Sequence, residues 1–546
     1  MPGLFTKRRN LIVLAAVVVF LLHCGIYLRF TVDDSFISYR FARNWAHGLG
    51  LVYNPGDRVE GYTSFAWVAL LALAHRLGID IEPASKALGI ASGVLCIVGV
   101  AAISARLLNG RPTHLVAPFV LALSPLYAAW ACSGMDTALF SAVVVWAAYA
   151  LILDESGRHS IPLSAPCLGV AALIRPEGLL FGAAALLSIL TSRAKAARSL
   201  AWAKWTTMFA VVVLPILVWR FSYYGGLFPN TFYAKTGRGA ERLVSGAWCV
   251  ANFAEYQGLA FVALCVVGIL SSIPSTLSIP SNPSNLSIPS ILSLSKDGRE
   301  SAAWRYTRLA IPAFFAYVIW AGGDFLHIRF FVHVMGLLAV CAAVGFDRVA
   351  AGWGLRSKPI LAYCALALAW VCLAGIQDYR ALRARDQFGA AYVVSNSRNI
   401  HSANIPLGKW LCGHAPTGST AAAWDIGGLG YYSELNIVDL YGLTDSTLAR
   451  LIHARASDEQ KAAYVQSRRP EFIVAYSAPT KPDIGWLGAS GDWVRRNYRF
   501  HSYWRGGPDG YGLALLVRRD IPQFHPFRNV CRAPTASRWS MSWARR

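Results

Sequence analysis

The sequence predicts a mainly α-helical, polytopic membrane protein of about 10–12 membrane segments, followed by a small extracytoplasmic α/β domain. Three observations predict it. Of 546 residues, 55% are hydrophobic and only 15% are charged, against about 25% charged in a soluble domain, and the mean hydropathy is +0.41. Apolar runs near span length recur through the first 376 positions and then stop. Lys and Arg fall in short loops between those runs, the pattern that orients membrane proteins. That distribution, rather than a basic binding face, accounts for the formal charge of +22 and argues against nucleic acid as a partner.

Residues 11–30 follow Lys7-Arg8-Arg9 and read as an uncleaved first span with the N-terminus inside. The run is longer than a signal-peptide core and ends in Leu28-Arg29-Phe30, with no small-residue cleavage site. Further spans are expected at residues 88–106, 115–132, 137–153, 201–221, 250–270, 309–321, 331–349 and 360–376. Residues 62–77 are marginally long and contain His75 and Arg76, so they read as flat or half-inserted. Residues 162–190 are too long for one span and read as a helical hairpin broken at Arg175-Pro176-Glu177-Gly178. This parity puts Arg106 and Arg111, the cluster Arg193/Lys195/Arg198/Lys204, and Arg348/Arg356/Lys358 in the cytoplasm, and acidic residues 80–82 outside. The positive-inside rule favours that assignment.

Residues 271–303 look inserted into a cytoplasmic loop of the membrane domain, residues 1–376. Ser-Ile-Pro recurs at Ser272, Ser278 and Ser287, and the first 25 of these residues carry no charge. Pro at that density rules out a helix, and the Ser-rich repeat cannot bury a core. Residues 377–546 form the second domain. Strand-length apolar runs at 419–424, 437–440, 472–476 and 513–517 alternate with helical stretches at 399–411 and 456–467, which suggests an α/β domain. Of 11 cysteines, only Cys412 and Cys531 fall in this domain. In an oxidising compartment they are candidates to pair, although spacing alone does not establish it.

Charged residues at membrane depth or at span ends are expensive, and each is a functional candidate. Asp33-Asp34 directly follows the first span on the outer face. Adjacent carboxylates repel, so the pair needs a cation or a task. Phe36, Tyr39, Arg40, Phe41, Arg43 and Trp45 then fit an interfacial amphipathic helix stopped by Gly48-Leu49-Gly50. Asn54-Pro55-Gly56 makes a turn, and Glu60-Gly61-Tyr62-Thr63 re-enters the membrane. Four further constellations share the outer face. These are Gly134-Met135-Asp136-Thr137; Arg175-Pro176-Glu177-Gly178; the aromatic loop Tyr223-Tyr224-Gly225 with Pro229-Asn230-Thr231-Phe232-Tyr233-Ala234-Lys235; and Gly322-Gly323-Asp324-Phe325-Leu326-His327-Ile328-Arg329. Each has a bland reading too: an internal salt bridge for Arg175 and Glu177, interface anchors for the aromatics. Their common sidedness is the stronger signal.

Taken in order, Asp33-Asp34, Tyr53-Asn54-Pro55-Gly56-Asp57-Arg58-Val59-Glu60-Gly61-Tyr62-Thr63, Ser133-Gly134-Met135-Asp136-Thr137, Arg-Pro-Glu-Gly, Pro-Asn-Thr-Phe-Tyr-Ala-Lys and Gly-Gly-Asp-Phe resemble the membrane-embedded GT-C glycosyltransferases. Within these, the sequence is most similar to the mycobacterial-type terminal β-arabinofuranosyltransferases, which use decaprenyl-phosphoryl-arabinose. The resemblance covers residues 1–376 and, in the second domain, residues 425–445. It implies a GT-C helical core, a polyprenyl-phosphate sugar donor, a cell-envelope glycan or glycolipid acceptor, and a site on the outer face of the inner membrane. It also implies that Asp33 or Asp34 is the essential acid near the sugar, with a divalent cation on the same pair as a candidate cofactor. Asp136 stands where the family usually has Glu before Thr, which shortens its reach, and the Ser/Pro insert is atypical.

Such a donor carries a good leaving group, so the protein must place the acceptor hydroxyl and take its proton, for which one carboxylate suffices. Lys235, His327 and Arg329 are the nominated cations around the phosphate. Arg40, Glu60, Tyr62, Asp136, Arg175, Glu177, Asn230, Tyr233 and Asp324 complete the expected donor and substrate contacts. Asp425-Ile426-Gly427-Gly428-Leu429-Gly430 misses the dinucleotide spacing and reads as a structural turn. The second domain is expected to bind the acceptor, by analogy. A lipid-linked sugar flippase or transporter would carry repeated halves and midplane charges, and neither is visible. An oligosaccharide ligase or polymerase uses related donors and stays open.

Overall fold

In the computed structural model the described residues are 2–156, 160–191, 198–226, 228–235, 240–271, 301–324, 328–352, 376, 394, 397–478, 481–490, 492–507 and 511–522. Among them, five helices are long and apolar enough to cross a membrane: Asn10–Tyr27, Ile81–Leu107, Thr137–Glu155, Ala201–Tyr224 and Arg329–Ala351. Two bent helix pairs raise the number to seven if each is one span. Phe65–Arg76, Ser164–Ile174 and Gly178–Leu190 are shorter apolar helices, and the last two are joined at Arg175-Pro176-Glu177. The chain is thus a multi-pass membrane protein. The expected span at 360–376 lies outside the described residues except for Ile376, and the Ser/Pro insert lies outside them from 272 to 300.

Two expected spans need correction. Residues 250–270 do not form one straight helix: Ala240–Gln257 and Leu259–Leu270 meet at 106°. Gly258 sits between them at φ +84°, a conformation that glycine adopts without Cβ strain and that ends a helical ladder. Residues 115–132 divide into Pro112–Ala122 and Pro125–Cys132, bent by 54°. Pro125 cannot donate to the preceding turn, and the Ser124 hydroxyl caps the new helix by accepting from the Tyr127 amide.

The second domain is a mixed sheet. Its strands are β1 (Thr420–Ala423), β2 (Asn436–Asp439), β3 (Phe472–Ala478), β4 (Lys481–Asp483), β5 (Tyr498–Arg505) and β6 (Gly512–Arg518). The order is β2-β1-β3-β6-β5, with β4 paired to β3. β1 runs parallel to β2 and β3, whereas β6 is antiparallel to both β3 and β5. Alternate side chains divide between the two faces. Ala421, Ala423, Ile437, Phe472, Val474, Leu513 and Leu515 pack with Phe36, Tyr39, Phe41 and Trp67 of the helical core. Ala422, Val438, Leu440, Ile473, Ala475 and Leu516 form a separate core on the other face. One face of the sheet is therefore closed by the end of the membrane domain. Cys412 is disulfide-bonded; Cys531 lies outside the described residues.

Helix Asp33–Ala46 lies at this junction, and its reading as an interfacial amphipathic helix is revised. Its apolar residues Phe36, Tyr39, Phe41 and Ala42 and its polar residues Arg40 and Asn44 are all buried, so protein, rather than lipid and water, covers both faces. Gly48 (φ +81°) follows it and ends the helix.

Candidate active site

The site grows from the first turn of helix Asp33–Ala46. Val32 precedes it in extended conformation with no side-chain cap, and carboxylates in a first turn suit the positive end of a helix. The turn Ser133-Gly134-Met135-Asp136 anchors it: the Val32 amide and the Ser35 hydroxyl both donate to the Ser133 carbonyl, at 3.2 and 2.9 Å. Gly134 stands at φ +85°, and a Cβ there would lie 2.0 Å from the Tyr39 hydroxyl oxygen. Only glycine lets this turn approach so closely.

The two adjacent carboxylates separate. Asp33 Oδ2 accepts the Gly427 amide and Oδ1 the Gly428 amide, each at 2.8 Å. Both donors come from the first turn of helix Gly427–Ser433 after β1, so the expected structural turn at 425–430 is in part a helix N-terminus. Asp34 points instead to the membrane core, where Arg329 Nη1 lies 3.4 Å from its Oδ2. Burial, then the neighbouring Asp425 charge, push the Asp33 carboxyl up to about 7, against the opposing effect of the two amides.

Around Asp34 the structure brings five of the expected site residues into one buried ionic cluster. Arg329 Nε pairs with Asp324, and Nη1 touches Met135 Sδ at 3.2 Å. Arg175 pairs with Asp136 at 3.2 Å and with Glu177 at 3.4 Å, and Glu177 accepts from the Tyr317 hydroxyl at 3.1 Å. The Phe330 ring lies under both guanidinium groups, 5.7 Å from each. Taken alone, the Arg175 group is an internal salt bridge closing the hairpin. Its junction with Arg329 makes it one wall of the cluster.

Other expected contacts serve the domain junction. Arg40, expected among the donor contacts, has a buried guanidinium that is already occupied: Nε donates to the Tyr53 carbonyl at 2.8 Å, Nη1 to Gly430 at 2.6 Å and Nη2 to Leu435 at 2.7 Å. Asn230 Nδ2 donates to the Gly442 carbonyl at 2.7 Å, and its amide donates to the Glu60 carbonyl at 3.0 Å. The Glu60 side chain pairs with Arg220 at 3.0 Å, and burial pushes its carboxyl up to about 7. Tyr62 accepts from the Tyr224 hydroxyl at 3.3 Å, and the Tyr233 ring sits edge-on to His453. The Lys235 side chain and His327 lie outside the described residues.

The expected divalent cation on Asp33 and Asp34 does not fit. One carboxylate faces backbone amides and the other faces a guanidinium, so they do not converge on a shared point. Among the described residues no group of three or more His, Cys, Asp or Glu is placed to hold an ion.

Sequence reading missed the grip of Gly427 and Gly428 on Asp33, and with it the role of Asp425. Asp425 accepts from the Tyr476 hydroxyl at 2.8 Å and the Tyr511 hydroxyl at 2.7 Å. The available signal was the paired glycines directly after a strand.

Comparisons with known proteins bear on the fold and on sequence similarity. Residues 65–219 match the family of dolichyl-phosphate-mannose-protein mannosyltransferases, and residues 396–519 match a domain of unknown function, DUF8728. A terminal beta-(1->2)-arabinofuranosyltransferase of Mycobacterium tuberculosis is 29% identical over 346 residues, 58% of this chain and 52% of the relative. Its counterpart in Corynebacterium glutamicum is 26% identical over 375 residues, 61% and 51% of the two chains. The chain thus spans about half the length of these curated relatives. Among solved structures, ArnT from Cupriavidus metallidurans bound to undecaprenyl phosphate superposes with a TM-score of 0.53 at 15% identity, covering 95% of this chain and 100% of that one. The Archaeoglobus fulgidus oligosaccharyltransferase gives 0.54 at 13% identity, covering 93% and 74%. At these identities the solved structures speak for the fold alone. The chain therefore shares the fold of these solved membrane proteins and is similar in sequence to the terminal arabinofuranosyltransferases.

Proposed function

We propose that this protein is a glycosyltransferase that moves a sugar, of the arabinofuranose class, from a polyprenyl-phosphate donor to a cell-envelope glycan or glycolipid on the outer face of the inner membrane. The observation that carries the reading is the division of the adjacent carboxylates, Asp33 toward the second domain and Asp34 toward Arg329. The arabinofuranosyltransferase relatives support the sugar. ArnT with its bound undecaprenyl phosphate supports the donor class.

In this reading Asp33 is the general base. A carboxyl raised to about 7 is matched to proton transfer at neutral pH. A carboxylate has about four lone-pair positions, and two amides leave the others open to an acceptor hydroxyl. That hydroxyl oxygen attacks the anomeric carbon, the bond from that carbon to the phosphate oxygen breaks, and the lipid phosphate leaves with the electron pair. The proton passes to Asp33. Arg329, fixed at Nε by Asp324, turns its Nη1 edge to the donor phosphate and exchanges one anion, Asp34, for another. That guanidinium supplies the positive charge at the phosphate, and Asp34 then faces the sugar. The second domain, closing over the same end of the core, holds the acceptor.

The test is transfer by the purified full-length protein in nanodiscs, offered a panel of synthetic polyprenyl-phosphate sugars and an envelope-type glycan. Product from the arabinofuranosyl donor supports the reading. Translocation of intact lipid-linked sugar across vesicles without any transfer would replace it with a flippase.

A further inference from the structure

We propose that Asp425, in the second domain, is a positioning residue for the transfer reaction: anchored by Tyr476 and Tyr511, it fixes the turn whose two amides hold Asp33. The inference rests on the reading of Asp33 as the base.

The geometry is a chain of contacts from sheet to site. Asp425 lies two residues beyond β1, at the carboxyl end of strands where α/β sheets gather their functional loops. Tyr476, on β3, donates to Oδ1 at 2.8 Å, and Tyr511, just before β6, donates to Oδ2 at 2.7 Å and also reaches Asn404 Oδ1 at 2.9 Å. Two neighbouring strands on one side of β1, β3 and β6, therefore pin this carboxylate. The Tyr53 hydroxyl donates to the next carbonyl, Ile426. The turn then presents the Gly427 and Gly428 amides to Asp33 with both residues buried. A Cβ on Gly427 would lie 2.0 Å from the Asp33 carbonyl oxygen and 2.6 Å from its Cγ, so the contact tolerates almost no displacement.

A turn that only shaped the fold would need no acid so close to another acid. Asp425 acts on Asp33 by charge as well as by position, and burial and then Asp425 are the two leading causes of its raised carboxyl. The groups facing Asp33 are Asp34 from its own helix, Asp425 from the turn, Tyr511 from the β6 side and Tyr53 from the loop after the helix. The cations nearby are already paired: Arg329 with Asp34 and Asp324, and Arg40 with carbonyls. Removing the Asp425 charge therefore lets Asp33 lose its proton at lower pH.

The experiment follows kcat and donor KM across the neutral range for full-length wild type, Asp425→Asn, Tyr511→Phe and Asp33→Asn, with a synthetic polyprenyl-phosphate sugar. The expected result for Asp425→Asn is an acid limb displaced to lower pH and a plateau kcat reduced by up to about 10²-fold, the effect of a misplacement near 1 Å. Donor KM should be little changed. An unmoved acid limb overturns the inference, because a merely structural residue would lower the rate without shifting it. If Asp425→Asn does not fold, Tyr511→Phe decides: a several-fold lower kcat at unchanged donor KM is expected, and an unchanged kcat overturns. Asp33→Asn separates the two levels. Wild-type rates in Asp33→Asn sink the base assignment itself, whereas its inactivity beside an unaffected Asp425→Asn sinks only the role of Asp425.

Discussion

Asp33 and Gly427 meet at 2.8 Å, the first residue of a membrane-domain helix against the first residue of a second-domain helix. They are 394 positions apart in the chain. Asn54, with both side-chain groups on Ile437, and Arg40, on Gly430 and Leu435, tie down neighbouring parts of the same segment. All three side chains bind backbone, so they fix where residues 427–437 lie rather than which side chains they carry.

Gly427→Ala is expected to disable the protein without unfolding it. The new methyl would displace Asp33 by a direct clash, while alanine itself favours the helix that starts there. Expression should survive with a lowered melting temperature, since overpacking a buried contact costs about 1–3 kcal/mol, and transfer should fall by about 10²-fold. Full activity in a well-expressed Gly427→Ala protein would mean that the contact does not position Asp33.

Arg329→Ala should act on donor binding and on stability together. It strands Asp324, whose side chain is 4% exposed, and leaves Asp34 without its cation. Breaking a buried pair costs about 3–5 kcal/mol, so a lowered melting temperature is expected beside a raised donor KM. Arg329→Ala with Asp324→Asn removes the stranded charge and should recover much of the stability but not the KM. Recovery of both would confine Arg329 to a structural role.

The long apolar helices were legible because hydropathy over some 20 residues needs no partner to be read. Failures came where the partner is remote. Arg40 fits the wet face of an interfacial helix by sequence, but it reaches carbonyls 390 and 395 positions away. β5 was missed because Tyr498–Arg505 carries no alternation of buried and exposed positions, as suits an edge strand. The bend at Gly258 follows Asn252, Glu255 and Gln257, polar residues that the average hydropathy of 250–270 masks. Of the site, the acidic and basic residues were visible as expensive charges at span ends. The division of Asp33 from Asp34 was not, since it depends on two amides beyond the second domain's first strand.

The raised carboxyls contribute a stability that falls as pH rises from about 4 to above 7. Burial raises Asp33, Glu60 and Asp439 to about 7 in the folded protein, whereas unfolded carboxyls titrate near 4. Between those values the folded state holds more protons, so stability declines with pH through the window and the contribution is gone above it. Glu459 and Asp520 are shifted downward and act in the opposite sense, as do His75, His401 and His501, which burial holds below the usual imidazole value. The check is therefore a difference: between pH 5 and about 8, Asp439→Asn should gain melting temperature relative to wild type as pH rises. A difference that stays constant or runs the other way would contradict the assignment.

The most direct measurement is transfer by Asp33→Asn and Asp34→Asn, each of which keeps size and removes one charge. As the base, Asp33 should lose roughly 10²–10⁴-fold in kcat when replaced, with protein still folded. Asp34→Asn, which touches the donor side through Arg329, should show a milder defect that more donor partly overcomes. Near wild-type transfer by both variants would contradict the account, reducing the pair to a structural acid cluster at the domain junction.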